Sequence, residues 1–258
     1  MDKLFTNFTE DFMIPLPETD HPAAVLLVVH GADGSVASFY ELARLVGIQL
    51  IAVSYQPDHI LGCSSIEEFA AVYLKHLTAQ YPDVPIILAG HSFGALVAYE
   101  MAALLQAQLQ KQVSVFLLDP NLPLAMRNYT AERILELRVL ASTIFPQQII
   151  EQHDIYHCDE AHLLELLHRC LKPNRLEAIL SARKHCLRAL SKFVYREHPG
   201  VNAHMIHAGE KLGYDFTDQH TKVIPTGSVV RGNHFTMLHS PNVEDIASII
   251  NSHLGQYL

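Results

Sequence analysis

Cysteine is scarce in this chain of 258 residues: Cys63, Cys158, Cys170 and Cys186 are the whole complement, with no C-x-x-C spacing among them. That excludes a disulfide-stapled scaffold and the common dithiol and zinc signatures. Free thiols in a reducing, cytoplasmic setting are the expectation. The first residues fit it, because Asp2, Glu10 and Asp11 stand where a secretory leader would be basic and then continuously apolar. Charge is also sparse, with 17% charged residues, a formal net charge of −9 and no basic cluster. Nucleic acid and an anionic membrane surface are therefore not expected as partners. No apolar run approaches the roughly eighteen residues of a membrane span. Internal repeats and low-complexity linkers are missing too. What remains is a chain that is 49% apolar, long enough to bury one core of ordinary size.

Short apolar runs alternate with amphipathic helical ones, which predicts an α/β fold: a mostly parallel central sheet with helices on both faces. Strands are expected at 23–29, 48–53, 85–89, 113–118, 202–207 and 229–230. Helices are expected at 36–46, 65–81, 95–110 and 243–254, the second opened by the capping box Ser65-Ile66-Glu67-Glu68. Residues 1–22, with Pro15, Pro17 and Pro22, read as a leading arm or linker, and 23–258 as the domain. Between about 121 and 200 the strand signal stops and helical spacing takes over, at 130–141, 160–171 and 173–195. Inserted after a strand end, these helices would form a lid above the carboxyl ends of the strands, where ligands bind in such sheets. A helical excursion packed elsewhere is the alternative.

Gly90-His91-Ser92-Phe93-Gly94 lies between an apolar strand and a helix, the context of a G-x-S-x-G nucleophile elbow. A serine needs a base, and the base an orienting acid. Among 17 histidines, position selects His234, in Gly232-Asn233-His234-Phe235 between the last strand and the closing helix; His239 is the rival. For the acid, Asp119 ends the strand after the elbow helix and precedes Pro120. Glu210, Asp215 and Asp218, after the following strand, are alternatives. The oxyanion donors are expected to be the backbone N–H groups of Phe93 and, from the loop His30–Ser35, of Ala32. His153 and His157, at i,i+4 with Cys158 following, invite a metal reading. Without the glutamate of H-E-x-x-H or a third ligand, coincidence is preferred, and no metal or cofactor is expected. The lid histidines His162, His168, His185 and His198 are expected to be partly exposed.

Together, Gly90–Gly94, Leu117-Leu118-Asp119 and Gly232–Phe235 resemble the α/β-hydrolase thioesterase domains that end fatty acid, polyketide and nonribosomal peptide synthases. His30–Ser35 with Ser65–Ala70 looks most like the animal fatty acid synthase branch, with Gly31 and Asp33 standing where that branch has Pro and Glu. The likeness runs from about Ala23 to the C-terminus and is weakest across the helical insertion. It implies an acid at Asp119 and an acyl-enzyme route. An acyl chain would arrive on the phosphopantetheine arm of an acyl or peptidyl carrier protein, in cis within a larger synthase or in trans, move to Ser92, and leave by hydrolysis or cyclisation. A monomer is expected. Competing readings are a discrete editing thioesterase, a carboxylesterase or lipase acting on free esters, and a non-catalytic acyl-binding module on the same scaffold. The absence of an HGGG-type glycine run after the first strand counts against the ester hydrolase.

Overall fold

The computed structural model describes residues 12–17, 22–110, 112–120, 133–145, 147–210 and 227–255. Among these, seven strands occur along the chain as β1 (Met13–Leu16), β2 (Val25–Val29), β3 (Gln49–Val53), β4 (Ile86–His91), β5 (Val113–Leu118), β6 (Val201–Ala208) and β7 (Ser228–Val230). They lie side by side in the order β1-β3-β2-β4-β5-β6-β7. All neighbouring pairs are parallel except β1 with β3. Strands β2, β3 and β5 are buried at every position, as expected of parallel strands covered on both faces.

β1 falls within residues 1–22, so the expected leading arm contributes an edge strand to the sheet. Pro15 disguised it. A proline cannot donate to a ladder, but an edge strand has one side free of that demand, and here Pro15 faces Ile51 in the register.

One face of the sheet is covered by α3 (Ile66–Gln80) and α4 (Phe93–Leu109), the other by α1 (Phe39–Ala43) and α9 (Val243–Leu254). A short α2 (Pro57–Ile60) precedes α3. Helix α3 starts as its sequence dictates: the Ser65 hydroxyl accepts from the Glu68 N–H at 3.3 Å. The Glu68 carboxylate reaches back to the N–H of Ser64 rather than that of Ser65, so the reciprocal box is shifted by one residue. Ala95, Ala98 and Ala102 of α4 are wholly buried, and these small side chains let the helix lie close against the sheet.

Between β5 and β6 come α5 (Arg133–Ile144), α6 (Gln147–Gln152), α7 (Glu160–Cys170) and α8 (Pro173–Leu190). The beginning of the expected insertion, 121–132, lies outside the described residues. Leu137, Leu140, Ile155, Leu163, Leu167, Leu176 and Ile179 form a separate apolar cluster. Further along α8, Ala182, Cys186, Leu187, Ala189 and Leu190 join the main core beside α3 and α4. A buried ion pair from Arg183 to Glu136 ties α8 to α5 where the two clusters meet.

Candidate active site

The elbow begins with β4, whose parallel pairing to β2 and β5 fixes where it ends. The chain then turns sharply into α4, and Ser92 takes φ 56° and ψ −117°. Side chains rarely adopt that region, and its cost is of order 1–3 kcal/mol. The surroundings hold it there. The Ser92 N–H donates to the Leu118 carbonyl at 2.9 Å. A Cβ on Gly90 would overlap the Gly94 carbonyl, and one on Gly94 would overlap the carbonyl oxygens of Val29 and His30. Glycine at both positions is thus a steric requirement of the turn.

Asp119 follows the last residue of β5 with φ 42°, and its N–H continues the ladder to the Ile206 carbonyl at 2.8 Å. Its carboxylate is divided between two donors: Oδ1 accepts from the Ala208 N–H at 3.2 Å, and Oδ2 meets His234 Nδ1 at 2.7 Å. Burial works to raise the Asp119 pKa. The hydrogen bond and charge of His234 and the Ala208 N–H outweigh it and hold the carboxyl below the usual range.

His234 stands on a loop fixed by Asn233, whose side-chain oxygen accepts from the N–H groups of Phe235 and Thr236 at 3.0 and 3.1 Å. The second ring nitrogen, Nε2, lies 3.1 Å from Ser92 Oγ. Ser92 and His234 are 6% and 8% exposed, so bulk water has little access to the reacting pair. A carboxylate on Nδ1 selects the tautomer whose Nε2 can accept the serine proton.

Ser92, Asp119 and His234 are therefore brought together in one hydrogen-bonded chain. His239 makes no hydrogen bond to Ser92 or Asp119 among the described residues, and its backbone N–H belongs to the turn at Thr236. Glu210 is exposed, while Asp215 and Asp218 lie outside the described residues. Phe93 opens α4, where first-turn N–H groups lack intrahelical acceptors. Ala32 is buried beside the elbow, and no hydrogen bond occupies its N–H among the described residues.

Several other histidines have partners that their sequence positions did not signal. His153 pairs with His162, whereas His157 turns to Asp154. His185 is pinned between the Tyr55 hydroxyl and the Cys63 carbonyl, and His198 lies against Glu100. His162, His185 and His198 are half-buried and His168 is exposed, in line with the expectation, and His185 in addition anchors α8 to the body of the molecule.

Sequence reasoning also passed over His91, the second residue of the elbow motif. Its Nε2–H donates to the His234 carbonyl at 2.9 Å. Burial and the adjacent His234 imidazole push its pKa down to about 3, against the opposing pull of Asp119 and of that hydrogen bond. The one sequence signal was its place beside the nucleophile.

The profile of the family described as Thioesterase domain matches residues 24–254. Among curated proteins, the chain is similar to the non-reducing polyketide synthase atnG of an Arthrinium species, 23% identical over 257 residues, covering 92% of this chain and 13% of that protein. It is similar too to the non-reducing polyketide synthase terA of Aspergillus terreus, 24% identical over 254 residues, covering 89% and 12%. The chain thus spans about an eighth of the length of these two relatives. Among solved structures, YbtT, a type II thioesterase from the yersiniabactin NRPS/PKS pathway, superposes with a TM-score of 0.63 at 20% identity, covering 96% of this chain and 99% of that one. A four-domain nonribosomal peptide synthetase gives a TM-score of 0.69 at 20% identity over 95% of this chain and 20% of its own. These likenesses establish the α/β-hydrolase fold.

Proposed function

The chain belongs to the thioesterase domain family, and from that premise we propose that it is a serine thioesterase releasing a fatty, polyketide or peptidyl chain from the phosphopantetheine thioester of a carrier protein. The observation that carries this reading is the unbroken path from Asp119 through His234 to Ser92 on a strained turn. Ser92 Oγ attacks the thioester carbonyl as His234 Nε2 takes its proton. A C–O bond forms, and the carbonyl π electrons move to oxygen. The N–H groups of Phe93 and Ala32 receive that oxyanion. When the tetrahedral centre collapses, the C–S bond breaks and the imidazolium protonates the departing thiolate. Water, or a hydroxyl or amine of the acyl chain, then repeats the attack with His234 again as base, regenerating Ser92 and giving an acid or a ring. Asp119 holds the imidazole and stabilises its charge; it carries no proton in either half.

The carrier protein is the proposed partner, in cis or in trans. The insertion α5–α8 is the proposed lid and the monomer the proposed state, in the cytoplasm. Among the described residues no helix is long and apolar enough to cross a membrane.

A panel of acyl N-acetylcysteamine thioesters of graded length, incubated with wild type and Ser92→Ala and analysed by mass, tests the reading. Ser92-dependent linear acids indicate hydrolytic release, and lactones or lactams indicate cyclisation. Turnover that survives in Ser92→Ala, or free esters cleaved in strong preference to every thioester, overturns it.

A further inference from the structure

A second hydrogen-bonded chain lies behind the loop that carries Ala32. The Tyr73 hydroxyl and His30 Nε2 are 2.7 Å apart, and His30 Nδ1 is 2.6 Å from the Gly31 carbonyl oxygen. The carbonyl can only accept, so Nδ1 carries the proton and Nε2 accepts from Tyr73. Both side chains are fully buried. Burial, partly offset by the hydrogen bond to Gly31, pushes the His30 pKa down to about 4, so the imidazole is neutral in the physiological range. The same Gly31 carbonyl accepts from the Gly34 N–H at 3.1 Å.

A trans peptide is planar, with its carbonyl and its N–H pointing in opposite directions. The Gly31–Ala32 bond is trans. Holding the Gly31 oxygen therefore fixes the Ala32 N–H, which points the opposite way within that plane. The loop lies directly over the elbow at this point: a Cβ on Gly31 would sit 3.6 Å from His91 Nδ1. The His30 ring also stacks on the Phe93 ring, with centroids 5.9 Å apart and planes 16° from parallel. One imidazole thus holds the carbonyl of the peptide that carries the Ala32 N–H and stacks on the side chain of Phe93.

We propose that His30, held in one tautomer by Tyr73, is a positioning residue that locks the Gly31–Ala32 peptide in the orientation presenting the Ala32 N–H to the oxyanion. This rests on Ser92 as nucleophile and adds a feature that nucleophile, base and acid do not supply. Without the lock, the peptide can rotate, and its carbonyl oxygen then faces the developing negative charge.

The test uses the full chain, a decanoyl N-acetylcysteamine thioester as substrate, and an alkyl trifluoromethyl ketone as probe. The ketone adds to a reactive serine and carries a tetrahedral oxyanion. In His30→Leu, kcat falls about 10²-fold, the loss typical of one missing oxyanion donor. KM stays within about twofold, and the ketone weakens by the same factor as kcat, because substrate binding does not use the donor and both tetrahedral species do. His30→Asn places an amide N–H near the Nδ1 position and recovers about tenfold of that loss if the donor to Gly31 is what matters. Tyr73→Phe keeps the volume and removes only the hydroxyl; kcat and ketone potency fall together, about threefold to tenfold. A general packing defect would instead move KM and thermal stability without the matched loss of ketone potency.

Wild-type kcat and ketone potency in folded His30→Leu overturn the lock while leaving Ser92 intact. If His30→Leu does not fold, Tyr73→Phe decides, and wild-type values in both measurements overturn the lock. Wild-type protein that shows no Ser92-dependent turnover and no response to the ketone overturns the Ser92 reading and the lock with it.

Discussion

His91 and His234 face each other with ring centroids 4.7 Å apart, and His91 Nε2–H donates to the His234 backbone carbonyl at 2.9 Å. The residue before the candidate nucleophile therefore grips the main chain of the candidate base, 143 positions away. His91→Leu loses both the ring contact and the donor to the His234 carbonyl. Its kcat is expected to fall about tenfold, with a stability loss of about 1 kcal/mol, the usual worth of a hydrogen bond. Steady-state kinetics and urea unfolding on the same preparation check both.

Ser92 pays a conformational cost for its place on the turn. Its φ of 56° and ψ of −117° are comfortable for glycine alone. Ser92→Gly should abolish Ser92-dependent turnover and at the same time raise stability by about 1 kcal/mol. A lowered melting temperature with full loss of activity would contradict strain at this position.

Asp119→Asn leaves the shape almost unchanged, and asparagine tolerates the positive φ of 42°. The amide cannot hold the imidazole in the tautomer that accepts from Ser92, and kcat should drop about 10⁴-fold with the fold intact. Asp215→Asn, made beside it, should be nearly silent. The reverse pattern would move the acid to the later position and favour the editing class of thioesterase.

Acid should weaken the fold before it protonates most carboxylates. His30 and His91 are held at about 4 and about 3, below the 6.5 of a free imidazole. The unfolded chain therefore binds more protons once the pH drops under about 6.5, and stability is lost from there down toward the folded values. The slope approaches about 1.4 kcal/mol per pH unit for each histidine. His76, His204 and His239 are lowered as well and act in the same direction. Asp33, raised by burial against the pull of Arg183, opposes the trend at lower pH, and Asp119, held low, reinforces it. Urea midpoints at pH 7.5, 6.0 and 5.0 should fall in that order; a flat series would contradict neutral buried imidazoles.

Much of this was legible in the residues because the physics is local. Helix α9 runs over Val243–Leu254 as its spacing predicts, and Val243, Ile246, Ala247, Ile250 and Leu254 are its buried face. The elbow was readable because two glycines and a serine at fixed spacing have few other reasons to sit between a buried strand and a helix. Helix α1 is shorter than expected, Phe39–Ala43 against 36–46, since its flanking apolar residues pack from turns rather than from helix. Helix α6 went unseen because six residues, Gln147–Gln152, are too few to display a period. The contacts of His30 and His91 were illegible for another reason. In a chain with so many histidines, only distance in space separates a positioning imidazole from a surface one.

Helix α8 acts as a post shared by two storeys. Its first turns stand in the upper apolar cluster with Leu176 and Ile179, and its later turns are set into the main core through Cys186 and Leu190. His185 bolts it to Tyr55 and Cys63 on the way. On the proposed reading of α5–α8 as a lid, changes confined to α5, α6 and α7 would reshape that lid without unseating the foundation. For the proposed thioesterase, cargo size is the property such a building would retune while its chemistry stays fixed, and chimeras that exchange residues 137–170 while keeping Glu136 and α8, with their buried ion pair, are the variants that would exploit it.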